Sequence, residues 1–201
     1  MTRALLTFLF IFLFTSPLFA DFADTAWVRR YNGPGNSQDI AIAIAVDDSD
    51  NVYVTGQSLG NGTGWDYATL KYYPDGETAW VRRYNGSADS SDVATALAMD
   101  GTGNVYVTGY SQISGSDFDY VTLKYYPDGE TAWVRRYNGP ESSDDRASDI
   151  AVDDSGNVCV TGYSFSSVTN KDYATVKYDI NGNELWMKMY NGTGNGGDKA
   201  N

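Results

Sequence analysis

The sequence predicts an all-β fold, a β-propeller of four-stranded antiparallel blades with about three blades present and the ring incomplete. Three observations lead there. The first is a period. Trp27, Trp80, Trp133 and Trp186 follow one another at intervals of 53 residues, and YYPDGETAWVRRYNG at 72–86 returns letter for letter at 125–139. A shorter copy, TAWVRRYNG, occupies 25–33, and a drifted one, YDINGNELWMKMYNG, occupies 178–192. A fixed repeat of this size marks solenoids, propellers and arrays. The second is composition: 16 tyrosines and 21 glycines, with only 20% charged residues, suit pleated strands joined by tight turns. The third is that no helical periodicity is present after residue 20.

Residues 1–20, MTRALLTFLFIFLFTSPLFA, carry one early charge at Arg3, an apolar run, a polar break and a small residue at Ala20. That is the layout of a cleaved secretory signal, and the apolar run is too short to span a bilayer comfortably. The expected product is residues 21–201, secreted, at the cell surface or in the periplasm, with no membrane span. The formal charge is −12, one unit more negative once Arg3 leaves with the leader. Such a field repels phosphate backbones and anionic lipid, so nucleic acid is not an expected partner. Cys159 is the only cysteine, so no intramolecular disulfide forms and the thiol is expected to be buried in mid-strand.

A leading outer strand is predicted at 27–31, then blades at about 40–84, 93–137 and 146–190. In the first blade 40–46 reads IAIAIAV, with isoleucine and valine on one face and alanine on the other. Neither face carries a charge, so this strand is expected to be covered on both sides. The turn 47–51 leads to a second strand at 52–57, a polar loop follows, and a third strand runs over 66–73. The turn around Gly76 then feeds a fourth strand at 79–84. Gly103 and Gly156 hold one turn position, and Gly76, Gly129 and Gly182 another, where a tight hairpin needs positive φ. Asp50 stands in the first position in blade one, which aspartate tolerates. A linear stack of small β-repeats is the competing architecture. The doubly apolar inner strand favours the propeller.

The pattern A-x-A-V-D-x-S-G-N-V-x-V-T-G-Y, then D-Y-A-T-x-K-Y, then a turn and tryptophan, is most literal at 151–163, 172–178 and 181–186. It resembles the bacterial β-propeller repeat known as the SBBP repeat, over essentially all of 27–192. The resemblance implies the blade type and exported or surface proteins, and it implies no particular reaction. It also implies a ring of about seven blades. The three found here lead us to expect either a truncated propeller or assembly with further blades or chains.

Chemistry is constrained by what is missing. The chain has no histidine, which removes the commonest general base and histidine-containing zinc sites. Aspartates recur at the same phase in every unit: Asp39, Asp92, Asp145 and Asp198; Asp47, Asp100 and Asp153; Asp66, Asp119 and Asp172. A residue repeated in every blade reads as a cap or turn bond, whereas an active site is a single asymmetric constellation. Calcium would draw on Asp47, Asp48 and Asp50 with Asp153 and Asp154, but the matching DGTGN loop at 100–104 holds one acid. No metal and no cofactor are therefore expected. The paired arginines at 29–30, 82–83 and 135–136 are expected to be local salt-bridge partners on the outer strands.

One asymmetry points to function. The loops between second and third strands, and the linkers between blades, share one side of an up-and-down blade. These differ freely between repeats, while the opposite-side turns barely vary. If the chain binds a protein or a glycan, that face is where it does so, with Trp65, Phe118 and Phe165 as stacking groups. The expected function is a non-catalytic binding or scaffold module. An exported carbohydrate-active enzyme using an aspartate pair, and an inactive fragment, are the competing readings.

Overall fold

The computed structural model describes residues 25–114, 117–194 and 196–198. The leader expected at 1–20 lies outside the described residues. Twelve strands follow in order: β1 (Asp39–Val46), β2 (Val52–Leu59), β3 (Trp65–Tyr72), β4 (Thr78–Tyr84), β5 (Asp92–Met99), β6 (Val105–Ser114), β7 (Asp117–Tyr125), β8 (Thr131–Tyr137), β9 (Asp145–Val152), β10 (Val158–Ser166), β11 (Asn170–Tyr178) and β12 (Glu184–Tyr190). They form three antiparallel sheets, each with its four strands in sequence order. The described residues contain no helix, and hence none long and apolar enough to cross a membrane. The fold is a partial β-propeller, not closed into a ring.

Hairpin chemistry sets each blade. Gly76, Gly129 and Gly182 sit at φ 81°, 85° and 79°, and Asp50 takes the same left-handed conformation at 60° where Gly103 and Gly156 stand in the other blades. Each inner strand carries a bulge, because the register with its neighbour shifts between Ala41 and Ala43, between Ala94 and Ala96, and opposite Thr161 and Gly162. A bulge sharpens the twist, and the partner strand answers with glycine at Gly56, Gly109 and Gly162, where the inner strand's backbone closes in.

The core lies between blades. Tyr53, Tyr67 and Trp80 of the first blade pack on Ala94, Val105, Val107, Val121, Leu123 and Tyr125 of the second. Tyr106, Tyr120, Trp133 and Tyr137 repeat the arrangement against Ala147, Ile150, Val158, Val160 and Val176 of the third. Each such aromatic contributes on the order of 1.5–3 kcal/mol through burial alone. Tyr67 Oη donates to the Val121 carbonyl at 3.2 Å, and Tyr120 Oη to that of Ala174 at 3.2 Å, so both buried hydroxyls are satisfied across the interface.

The turns whose sequence barely changes are the sockets of this interface. Trp80 Nε1 donates to the Pro127 carbonyl at 3.1 Å, and Trp133 Nε1 to that of Ile180 at 3.1 Å. Arg82 Nε reaches the Gly129 carbonyl at 2.6 Å, and Arg135 Nε that of Gly182 at 2.5 Å. A turn that must receive an indole and a guanidinium from the preceding blade has little freedom to drift.

Three expectations need correction. Residues 27–31 form no ladder, because no described strand lies beside them to pair with; Trp27 instead fits the Gly76 turn and donates to the Pro74 carbonyl at 3.0 Å. The inner strand β1 is not covered on both sides: Ile40, Ile42, Ile44 and Val46 are exposed, since no described blade precedes it. Cys159 is half-buried rather than buried, because no described blade packs on the face of β10 where it takes the place of Tyr53 and Tyr106.

Candidate binding face

The side carrying the strand-two-to-three loops and the linkers is held from below by the recurring aspartates. Asp39, Asp92, Asp145 and Asp198 accept the backbone N–H of Gly33 (3.1 Å), Gly86 (2.6 Å), Gly139 (2.5 Å) and Gly192 (2.7 Å), fixing the start of each linker. Asp66 accepts Arg83 at 2.6 Å and Thr63 Oγ1 at 2.9 Å, and Asp119 accepts Arg136 at 2.6 Å. On the opposite side, Asp47, Asp100 and Asp153 close their hairpins onto Asn51, Asn104 and Asn157. All three aspartate phases are therefore occupied with turns and braces. The arginine pairs divide: Arg83 and Arg136 are the salt-bridge partners expected, whereas Arg82 and Arg135 serve the next blade's turn. Among the described residues no group of histidine, cysteine, aspartate or glutamate side chains gathers to hold a metal ion.

Asp92 and Asp145 titrate in the opposite direction from Asp47, Asp100 and Asp153. Burial lifts the carboxyls of Asp92 and Asp145 above the ordinary range, outweighing the bonds that each receives. Asp100 is also pushed up by burial, but bonds from Asn104, Thr102 and Tyr106 outweigh it and bring it down to about 2. Asp47 is lowered in the same way, and Asp153 by Asn157 and Lys177. A raised native carboxyl binds its proton more tightly than the unfolded chain does, so stability is gained as pH falls from neutral through its native value. A lowered one contributes stability above the unfolded value of about 3.9 that is lost as pH falls below it. Thermal melting should thus show greatest stability on the acid side of neutrality and a fall below about pH 4. Stability that climbs steadily to pH 8 would contradict this.

The three expected stacking groups do not converge. Trp65 opens β3 in the first blade, Phe118 lies at the equivalent position of β7, and Phe165 lies in β10 of the third. Trp65 and Phe165 are half-buried at their loop mouths. Phe118 is engaged: Tyr110 meets it edge-on with centroids 5.2 Å apart, and the Arg146 guanidinium lies 4.3 Å from its ring centroid.

That contact belongs to a constellation found at one junction alone among the described blades. Arg146 lies 4.8 Å over Tyr110 and pairs with Asp144 at 3.0 Å; Asp144 accepts Tyr163 Oη at 2.8 Å and has Lys171 Nζ at 3.8 Å. Lys171 in turn lies 3.9 Å over the Tyr163 ring. One repeat earlier the same positions are Gln57, Ser91 and Val93, so nothing comparable joins the first two blades. The second and third blades thus present three aromatic rings interleaved with two cations and one carboxylate. Comparing Gln57 with Tyr110, Ser91 with Asp144 and Val93 with Arg146 would have revealed it from sequence.

The family described as Beta-propeller repeat (SBBP) matches residues 26–62, 79–116 and 132–167, more than half of the chain. The chain belongs to this family. Its repeat phase agrees with the tryptophan period and with the three sheets. No curated protein matches the chain. Among solved structures, this SBBP-repeat chain is similar to a eukaryotic initiation factor at 6% identity and TM-score 0.51, covering 82% of this chain and 35% of that one. It therefore spans about a third of that protein's length, and the likeness is one of fold. It is also similar to a fucose lectin from Kordia zhangzhouensis (15% identity, TM-score 0.42, 75% of this chain and 99% of that one). A gluconolactonase from Xanthomonas campestris follows (15%, 0.41, 74% and 46%).

Proposed function

We propose that this SBBP-repeat chain is an exported, non-catalytic binding module whose recognition surface is the loop face, centred where the second and third blades meet, and that it takes a glycan. The observation that supports this is the asymmetry of the Tyr110, Phe118, Asp144, Arg146, Tyr163 and Lys171 constellation on an otherwise repetitive body. Aromatic rings beside paired charges suit a ligand offering C–H faces and hydroxyl groups together. The recurring aspartates speak against the competing enzyme reading, because turns and braces already use them. The leader's layout supports export.

A glycan panel tests the reading. The chain should bind a subset of immobilised glycans without releasing product, and Lys171→Ala and Phe118→Ala should weaken binding several-fold or more. Tyr73→Ala and Tyr126→Ala, at exposed positions on the opposite side, should leave it unchanged. No binding to any glycan overturns the ligand class. Turnover abolished by a single Asp→Asn change overturns the non-catalytic assignment.

A further inference from the structure

The two end faces of the molecule are the two halves of an interface that it already makes twice. On the third blade, Tyr173, Trp186 and Tyr190 are 38%, 39% and 60% exposed, while the equivalent Tyr120, Trp133 and Tyr137 are 1%, 8% and 7% exposed against the next blade. On the first blade, Ile44 is 69% exposed, while its equivalent Ile150 is 7% exposed in the same interface. A groove of about 500 Å³ lined by Ile44, Val52, Val54 and Leu70 opens beside it.

Part of that first-blade face is filled from within the chain, by imitation. The segment TAWVRRY at 25–31 is identical to β4 and β8. Its Trp27 repeats their contacts: Nε1 to the Pro74 carbonyl at 3.0 Å, the ring against Gly76, and Tyr72 at 5.7 Å and 41°, as against 6.0 Å and 44° for Trp80 with Tyr125. Yet residues 27–31 have no ladder, whereas β12 is paired along its length with β11, from Glu184 opposite Tyr178 to Tyr190 opposite Tyr173. The imitating segment holds the slot by side chains alone.

We propose that a second copy of this chain docks head to tail, its β12 replacing residues 27–31 on the first blade. Trp186 enters the Gly76 turn as Trp133 enters that of Gly182, and Lys188 reaches the Gly76 carbonyl as Arg135 reaches that of Gly182. The displaced segment breaks no ladder, and every contact that Trp27 gives up is remade by Trp186. The contact is heterologous, with different patches on the two copies, so an open assembly keeps one free face of each kind until it closes. Two chains of charge −12 repel, so association strengthens with salt.

Sedimentation velocity of the full chain tests this. At roughly 100 µM in 0.5 M salt the unaltered chain should associate, more weakly at low salt. Trp186→Arg blocks the tail and Ile44→Arg blocks the head, both at exposed positions, so each variant alone should be monomeric and their mixture should form a one-to-one dimer. Trp27→Ala, which removes the competitor, should tighten association about tenfold, or 1.4 kcal/mol. A monomeric unaltered chain overturns the proposal, as does a mixture that stays monomeric. A Trp186→Arg chain that still dimerises would show like faces meeting and would overturn it equally.

Discussion

Replacing Gly109 by alanine is expected to cost more than about 4 kcal/mol, enough to abolish cooperative unfolding of the second blade. The cause is the bulge at Thr95. It brings the inner strand's backbone over Gly109, so an added Cβ would fall inside contact distance of the Val93 carbonyl oxygen and 2.9 Å from Ala94 Cα. Backbone atoms cannot turn aside as a flexible side chain can. The same Cβ would stand 2.8 Å from Tyr67 Oη, the hydroxyl that crosses from the first blade to the Val121 carbonyl, so the damage spreads to the interface. Gly101 is the control. A Cβ there meets nothing within 4 Å, so Gly101→Ala should change stability by less than about 0.5 kcal/mol. Chemical denaturation followed by circular dichroism separates the two, and equal effects would show that the inner backbone relaxes freely.

The repeat period explains why so much of this fold was legible. A period that places tryptophan and turn glycine at fixed phase leaves few architectures, and the positive-φ positions at Gly76, Gly129 and Gly182 behave as hairpin chemistry requires. What sequence could not supply was whether a demand is met. The alternation of residues 40–46 states that both faces of β1 suit cover, and only the packed structure shows that its isoleucines face solvent. Residues 25–31 are letter for letter a strand elsewhere in the chain, but a strand is a relation with a neighbour, and none of the described strands pairs with them. The junction constellation was legible only by comparing the repeats position by position. Gln57, Ser91 and Val93 change to Tyr110, Asp144 and Arg146 at three separated positions, two on strands and one in a linker, and no single change announces the others. Their charges and rings meet only when blades stack. The arginine pairs show the same limit, since adjacent residues on a strand point to opposite faces and so reach different partners.

Trp133→Ala should cost about 3–5 kcal/mol, whereas Trp186→Ala at concentrations too low for association should cost about 1 kcal/mol or less. The two residues share a strand position, an identical spacing from the preceding turn and the same ladder contacts, so their difference isolates the interface between blades. Trp133 Nε1 bonds the Ile180 carbonyl at 3.1 Å, its ring lies 6.0 Å from Tyr106 and 6.2 Å from Tyr178, and the Arg135 guanidinium covers it at 5.6 Å. Truncation there leaves a cavity beside a rigid turn and orphans a carbonyl, and neither loss can be healed by water entering an apolar seam. Trp186 makes the same strand but meets no following turn among the described residues and is 39% exposed, so its removal exposes little that was covered. Equal losses would mean that stability resides within each sheet, and that the blades meet without holding one another. The contrast expected instead places the cohesion of the molecule between the repeats, which is also why a bare repeat face is a surface with a partner to find.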